Sequence, residues 1–148
     1  MEKVKTIALK KYYGKEHNLV KALDGIEISV EEGEFVSVLG TSGSGKTTLL
    51  NMLGGLDYPT SGNVIIDGTD LANLEKNMRT VFRRQKIGFI FQAYNLLPML
   101  TAYENIIFPL QLDGQKIDRQ FIRHIIELLK LTEKENNFPN EMSGGSLL

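Results

Sequence analysis

A glycine-rich stretch in the first third of the chain carries the residue types that bind phosphate. Gly40 is followed by four residues and then by Gly45, Lys46 and Thr47, which is the pattern G-x-x-x-x-G-K-[ST]. Glycines in such a loop permit positive φ angles, so backbone N–H groups can close around phosphate oxygens. We expect Lys46 to reach the β- and γ-phosphates of a nucleoside triphosphate, and the Thr47 hydroxyl to bind Mg²⁺.

The segments on either side of the loop match the context that this chemistry needs. Residues 35–39, Phe-Val-Ser-Val-Leu, form a short apolar run that predicts a buried strand. Residues 48–53 favour a helix, and Gly54 and Gly55 predict its end. A helix that begins near Lys46 directs its positive end at the bound anion. Strand, loop and helix together predict nucleoside-triphosphate binding.

Composition limits the classes of protein to consider. The chain has 148 residues, 42% of them hydrophobic, which suits one packed domain of ordinary size. Its formal net charge of −1 argues against nucleic-acid binding through a basic surface. The absence of cysteine excludes disulfides and thiolate metal sites. We expect no signal peptide at the N-terminus, and no apolar run approaches the ~20 residues that span a bilayer.

The remaining patterns predict short strands and then helices. Strands are predicted at residues 4–9, 26–30, 63–66 and 87–91, helices at 71–84 and 104–110, a further helix capped by Asp118, and a capping box at 132–135. Asp67 ends an apolar run as a Mg²⁺-binding carboxylate does, but Asp67-Gly68 is better read as a hairpin turn. No metal site is expected beyond nucleotide-bound Mg²⁺.

Two surface features have open interpretations. The basic residues Arg79, Arg83, Arg84 and Lys86 are expected on a solvated or partner-facing surface. The run from Leu96 to Leu100 is apolar for a loop, which requires either burial or a partner.

Two tyrosines follow the first predicted strand. Tyr12 and Tyr13 are either ordinary strand-end aromatics or candidates for stacking on an adenine ring. Nothing in the neighbouring residues decides between these interpretations.

Three stretches resemble, in order and spacing, the ATP-binding subunits of ABC transporters. The glycine loop resembles the Walker A motif, Gly88 to Gln92 resembles the Q-loop, and Met142 to Gly145 resembles the start of the signature sequence Leu-Ser-Gly-Gly-Gln. Residues 53–62, 91–98 and 103–106 resemble the branch that serves lipoprotein release, macrolide export and antimicrobial-peptide export. The resemblance implies an α/β fold, a P-loop NTPase with a RecA-like core, an antiparallel β-subdomain and a helical subdomain.

The resemblance also implies site residues. The residues that it implies for phosphate binding are Gly40, Thr41, Ser42, Gly43, Ser44, Gly45, Lys46, Thr47 and Thr48. It implies that Thr47 and Gln92 contact Mg²⁺ and that Tyr13 stacks on adenine, with Tyr12 as the alternative. Ser143, Gly144 and Gly145 resemble the residues that cover ATP bound by the opposite subunit of a head-to-tail homodimer.

Domain organisation and partners follow from the same resemblance. It implies one ATP-binding domain, with the β-subdomain and P-loop core at 1–92 and the helical subdomain at 93–145. The expected ligands are ATP and Mg²⁺. The expected partner is a membrane permease, whose coupling helix would dock on the loop from Leu96 to Leu100. Such a subunit lies on the cytoplasmic side of the cell membrane and binds no nucleic acid.

The end of the chain departs from the family pattern. Ser146 stands where the family has Gln, and Met142 where it usually has Leu. The Walker B strand, with its Mg²⁺-orienting Asp and general-base Glu, the D-loop and the switch His do not occur in these 148 residues. We therefore expect a truncated ABC-type ATPase domain that contains no catalytic base and turns ATP over at close to background.

Two other functions compete with this expectation. The first is a non-catalytic nucleotide-binding remnant without a transport role. The second is another P-loop enzyme, such as a small-molecule kinase. Gln92 and the run from Ser143 to Gly145 argue against the kinase, which would also need an acceptor site that the sequence does not offer.

Overall fold

The computed structural model describes residues 1–142 and divides the chain into two compact units, Met1–Arg83 and a second that starts at Arg84. The strands are β1 (Glu2–Tyr13), β2 (Val20–Glu31), β3 (Ser61–Ile66) and β4 (Thr69–Asp70). The α-helices are α1 (Lys46–Leu53), α2 (Lys76–Lys86), α3 (Ala102–Leu112) and α4 (Arg119–Leu128). Short 3₁₀ turns occur at Glu16–Asn18, Leu71–Asn73, Thr132–Lys134 and Pro139–Glu141. The subdomain boundary at residue 92 stays a prediction.

The four strands form one antiparallel sheet in the order β2-β1-β3-β4. The hairpin between β3 and β4 turns at Asp67 and Gly68, both with positive φ, as the sequence predicts. Asp67 Oδ1 accepts a hydrogen bond from Lys3 Nζ at 3.0 Å, so its carboxylate links the β3–β4 turn to β1. β1 and β2 are longer than predicted, and β2 runs from Val20 to Glu31 through Gly25, which takes a positive φ inside the strand.

Helix α1 packs on this sheet and thereby places the glycine loop. Leu49 and Met52 on α1 are buried, and the helix contacts β2 and β3. The buried apolar side chains of the first unit are Leu9, Leu23, Leu49, Met52, Val64, Ile66 and Leu71. Because the helix axis is set by this packing, the position of the loop that precedes Lys46 is set as well.

The predicted strands at residues 35–39 and 87–91 are not strands in the structure. Both segments lack a paired neighbour among residues 1–142, and the side chains of Phe35, Leu39 and Ile90 are 94%, 89% and 81% exposed. The apolar pattern predicts a buried strand, but burial of such a strand inside a parallel sheet requires paired strands on either side. Phe89 and Phe91 instead stack on each other, with ring centroids 4.4 Å apart.

The predicted solvated basic surface is wrong for Arg79, whereas Arg84 and Lys86 are exposed. Arg79 is only 3% exposed, and its guanidinium donates to the carbonyls of Asp57 and Leu71. Arg83 Nη1 donates to the Gly55 carbonyl at 3.3 Å. Neither of these two guanidinium groups forms an ion pair within residues 1–142, and both donate to backbone oxygens of the first unit. Sequence spacing alone could not reveal those acceptors, because they lie on distant segments.

The second unit is built on α3 and α4, which bury Ile107, Ile122 and Ile126 against each other. A capping box starts α3, since Thr101 Oγ1 accepts from the Glu104 amide and Glu104 Oε2 accepts from the Thr101 amide. The helix predicted at 104–110 extends two residues further at each end, and Pro109 lies inside it, since the Pro109 carbonyl still accepts from the Asp113 N–H at 3.2 Å.

The structure places no capping box at 132–135. Thr132–Lys134 is a 3₁₀ turn whose preceding residue makes no side-chain cap. The longest helices of residues 1–142 have 11 residues, and none is long and apolar enough to cross a bilayer.

Replacing Asp118 with alanine is expected to lower the free energy of unfolding by about 0.5–2 kcal/mol. Asp118 Oδ1 accepts from the backbone amides of Gln120 and Phe121 at 3.0 and 3.1 Å, which confirms the predicted N-cap of α4. Urea denaturation of both proteins measures the loss. Asp118→Asn keeps the acceptor oxygen and should remain within a few tenths of a kcal/mol of wild type. Equal losses in the two variants would contradict the capping role.

Candidate nucleotide-binding site

The glycine loop joins the extended segment ending at Leu39 to the first turn of α1. Gly43 and Gly45 have φ angles of +77° and +90°. A Cβ added at Gly45 would lie 2.3 Å from the Ala22 carbonyl oxygen, so the loop passes directly against β2 there. Glycine is required at residue 45 both for its backbone angle and for this close approach.

Lys46 lies folded into the loop. Its Nζ atom donates to the carbonyl oxygens of Gly40 and Thr41 at 2.8 and 2.7 Å, and to Ser44 Oγ at 3.4 Å. The ammonium is therefore surrounded by the loop and held next to the N-terminus of α1. A phosphate oxygen entering the loop meets a positioned cation there, and charge-assisted hydrogen bonds of this kind are among the stronger ones in proteins.

The first turn of α1 adds unpaired donors. The first intrahelical hydrogen bond runs from the Leu49 amide to the Gly45 carbonyl at 2.8 Å. The amides of Lys46, Thr47 and Thr48 precede it and have no acceptor within the helix. With the positive end of the helix dipole, these N–H groups form an anion-binding terminus.

A cavity of about 580 Å³ opens beside the loop. It is lined by Val20, Lys21, Ala22, Ser42, Gly43, Ser44, Gly45, Lys46, Thr47 and Thr48. Seven of the nine predicted phosphate-binding residues therefore share one cavity, while Gly40 and Thr41 contribute the carbonyls that hold Lys46. The sequence analysis did not predict that residues 20–22 form a wall of this cavity. They lie beside the loop because β2 approaches Gly45 closely.

The site has a hydroxyl oxygen that could act as a ligand of Mg²⁺. The Thr47 side chain is exposed and lies on the cavity wall, with no carboxylate among the lining residues. Within residues 1–142, no group of three His, Cys, Asp or Glu side chains could hold a metal ion. One hydroxyl at a phosphate-binding loop fits a Mg²⁺ ion whose other ligands are phosphate oxygens and water.

Tyr13 ends β1 beside the same cavity. It pairs with Val20 in the β1–β2 register, and Val20 lines the cavity. The ring remains 42% exposed, and its hydroxyl donates to Asp57 Oδ2 at 3.3 Å.

Tyr12, the alternative, has its hydroxyl on Asp24, and the Lys21 ammonium lies 5.3 Å from its ring centroid. The hydrogen bond from Tyr12 holds the pKa of the Asp24 carboxyl below its usual value.

The other predicted site residues belong to later parts of the chain. Gln92 is exposed in the second unit, and its contact with Mg²⁺ stays a prediction. Ser143, Gly144 and Gly145 lie outside the described residues.

The apolar loop is held by one side chain. Asn105 Oδ1 accepts from the Leu97 amide at 2.9 Å, and Asn105 Nδ2 donates to the carbonyls of Leu97, Leu100 and Thr101 at 3.0–3.1 Å. Sequence analysis did not single out Asn105, although an amide with two donors and an acceptor suits this role.

Comparison with known proteins decides the family. The sequence profile of the family described as ABC transporter matches residues 23–147. The chain belongs to the ABC transporter family.

Three curated proteins of this family are similar to the chain over most of its length. An ABC transporter ATP-binding protein of Methanocaldococcus jannaschii, MJ0796, is 42% identical over 98% of this chain and 63% of its own length. The bacitracin export ATP-binding protein BceA of Halalkalibacterium halodurans is 44% identical over 91% of this chain and 54% of its own length. The macrolide export ATP-binding/permease protein MacB of Mannheimia succiniciproducens is 43% identical over 93% of this chain and 22% of its own length.

A solved structure confirms the predicted fold class. The dimeric structure of a post-hydrolysis state of the ATP-binding cassette MJ0796, bound to ADP and Pi, is similar to this chain with a TM-score of 0.86 at 40% identity. The match covers 97% of this chain and 65% of that cassette. This ABC transporter family chain thus has the P-loop NTPase fold of the cassette, and it spans less than two thirds of the length of these relatives.

Proposed function

We propose that this chain is the ATP-binding part of an ABC-type transport complex that couples ATP binding and hydrolysis to export or extraction of a substrate by a membrane permease. The observation that carries the proposal is Lys46, held by three loop oxygens at the N-terminus of α1 and beside a cavity lined by the glycine loop. This geometry suits the β- and γ-phosphates of ATP. Relatives named for bacitracin and macrolide export support the assignment to export.

The roles of the loop residues follow from their positions. On ATP binding, Lys46 exchanges loop carbonyls for phosphate oxygens, and the amides of Thr47 and Thr48 add neutral donors. The Thr47 hydroxyl orients Mg²⁺, with Gln92 as a second contact. When bound, the ion supplies positive charge that stabilises the phosphate oxygens. Tyr13 supports the adenine.

A permease is the partner that the apolar loop suits. Met99 is 78% exposed at the tip of the run from Leu96 to Leu100, and Asn105 fixes the backbone behind it. An ordered, exposed apolar segment favours a protein partner over solvent. Docking there would hold the chain at the cytoplasmic face of the membrane, through the permease.

A second copy of the chain is the other proposed partner. Two solved structures of the cassette MJ0796, which this chain resembles, are dimeric. In a head-to-tail homodimer, Ser143, Gly144 and Gly145 of one subunit would cover the ATP bound at the loop of the other. The non-catalytic alternative shares the loop but needs neither of these partners.

A ligand series tests the proposed function. Equilibrium titration of the 148-residue chain should show saturable MgATP binding, displaced by tripolyphosphate and not by adenosine, since the phosphates provide most of the contacts. Failure of tripolyphosphate to displace ATP would contradict a phosphate site at the loop.

The same titration distinguishes the two tyrosines. Tyr13→Ala should weaken MgATP binding by roughly tenfold, because stacking on an aromatic ring contributes about 1–3 kcal/mol per base. Tripolyphosphate affinity should not change. Tyr12→Ala is the matched control and should leave both affinities near wild type. Loss of ATP affinity in Tyr12→Ala alone would reassign the adenine platform to Tyr12.

A further inference from the structure

The ring of Tyr13 is held at two points by charged side chains. Its hydroxyl donates to Asp57 Oδ2 at 3.3 Å, and the Lys11 ammonium lies over the ring, 5.0 Å from the centroid. Lys11 Nζ is itself 2.8 Å from Asp57 Oδ2. These three side chains therefore form one connected cluster, which we call the Tyr13 cluster. Lys11 contacts the ring, while the exposed remainder of Tyr13 stays available to a planar ligand.

Asp57 is itself firmly anchored. Its Oδ1 atom accepts from the Tyr58 amide at 2.6 Å, and Lys11 Nζ donates to the Tyr58 carbonyl at 2.7 Å. The buried Arg79 donates from Nη1 to the Asp57 carbonyl at 3.2 Å, and its guanidinium carbon lies 3.7 Å from the Tyr58 ring centroid. The carboxylate that receives the tyrosine hydroxyl thus has a fixed position on the turn after α1.

The charge state of Asp57 suits this contact. Burial acts to raise the pKa of the Asp57 carboxyl, but hydrogen bonds from Lys11, the Tyr58 amide and Tyr13 outweigh it and hold that pKa below its usual value. The carboxylate is therefore ionised at neutral pH and acts as an acceptor for both Lys11 and the tyrosine hydroxyl.

We propose that Asp57 is a positioning residue for nucleotide recognition, and that it orients the Tyr13 ring for stacking on the adenine of ATP bound at the glycine loop. This inference rests on the proposed function. A strand-end tyrosine without such contacts samples several rotamers, and ordering it on binding costs affinity. The Tyr13 cluster orders the ring in advance. Asp57 touches no reacting atom and acts through Tyr13.

A double-mutant cycle on the 148-residue chain tests the proposal. Asp57→Ala and Tyr13→Phe should each weaken MgATP binding by about three- to tenfold, since each frees the ring. The double variant should match the single variants, because both substitutions break the same contact. Tripolyphosphate affinity should remain at the wild-type value in all three, since the glycine loop is unchanged.

The outcomes separate this role from a structural one and from failure of the proposed function. Equal loss of ATP and tripolyphosphate affinity in Asp57→Ala would mean that Asp57 only supports the fold, and would overturn the proposal. Independent, multiplying effects of the two substitutions would overturn it too.

If Asp57→Ala fails to fold, the Tyr13→Phe variant alone tests whether the contact between Tyr13 and Asp57 supports ATP binding. Wild-type ATP affinity in Tyr13→Phe would overturn the inference while leaving the phosphate site in place. A wild-type chain that binds neither ATP nor tripolyphosphate would overturn the proposed function, and this inference with it.

Discussion

Replacing Lys46 with alanine is expected to weaken MgATP binding to this chain by about 10- to 100-fold. The ammonium is the one cation that the structure holds inside the glycine loop among residues 1–142, and its acceptors are oxygens of Gly40, Thr41 and Ser44. A hydrogen bond to a charged group contributes about 1.5–3 kcal/mol, which corresponds to that range of affinity. Isothermal titration with MgATP and with tripolyphosphate should give parallel losses, because the lost contact is to phosphate.

Lys21→Ala is the control for a general electrostatic effect. Lys21 lines the same cavity, but its Nζ atom pairs with Asp24 Oδ2 at 3.3 Å and its side chain is largely exposed. Removing an exposed, screened charge should change affinity by no more than about threefold. Similar losses in the two variants would indicate that net charge, rather than the position of Lys46 in the loop, attracts the ligand.

Substituting Gly45 by alanine should lower the free energy of unfolding by more than about 3 kcal/mol and abolish measurable ATP binding. The backbone angle of +90° alone costs an L-residue about 1–2 kcal/mol. The new Cβ would also lie 2.3 Å from the Ala22 carbonyl oxygen, so the loop and β2 must move apart. Urea denaturation and MgATP titration measure the two effects.

Gly43→Ala separates backbone strain from steric collision. Gly43 has a similar φ of +77°, but a Cβ there would meet no atom within 4 Å. The loss of stability should therefore stay near the 1–2 kcal/mol of the backbone term. If both variants lose the same stability, the close approach between residue 45 and β2 contributes nothing.

The phosphate loop could be predicted from sequence because its chemistry is local. Spacing alone places the start of a helix near Lys46, and the structure begins α1 there, with Gly45 at its N-cap. The Val20–Ala22 wall could not be predicted in this way. Its position depends on the packing of α1 on the sheet, which the residues near the loop do not encode.

Distant contacts explain the other differences. Residues 35–39 have the composition of a strand, but strand formation depends on a neighbour that the pattern cannot supply. Arg79 looks like a surface cation, yet it is buried, and carbonyl oxygens from two remote turns accept hydrogen bonds from its guanidinium. A capping box depends on the conformation of a single side chain at the start of a helix. Thr101 forms one with Glu104, whereas Thr132 forms none.

The exposed segment from Phe35 to Leu39 has a consequence for how copies of the chain behave together. This window has three residues of high β-propensity, Phe35, Val36 and Val38, and contains no charge or proline, which is the kind of segment that favours intermolecular β-pairing. Three acidic residues, Glu31, Glu32 and Glu34, lie immediately before it. They act as gatekeepers, because parallel stacking of two copies would align like charges at one end of the window. The glycine loop on its other side provides no such repulsion before Lys46.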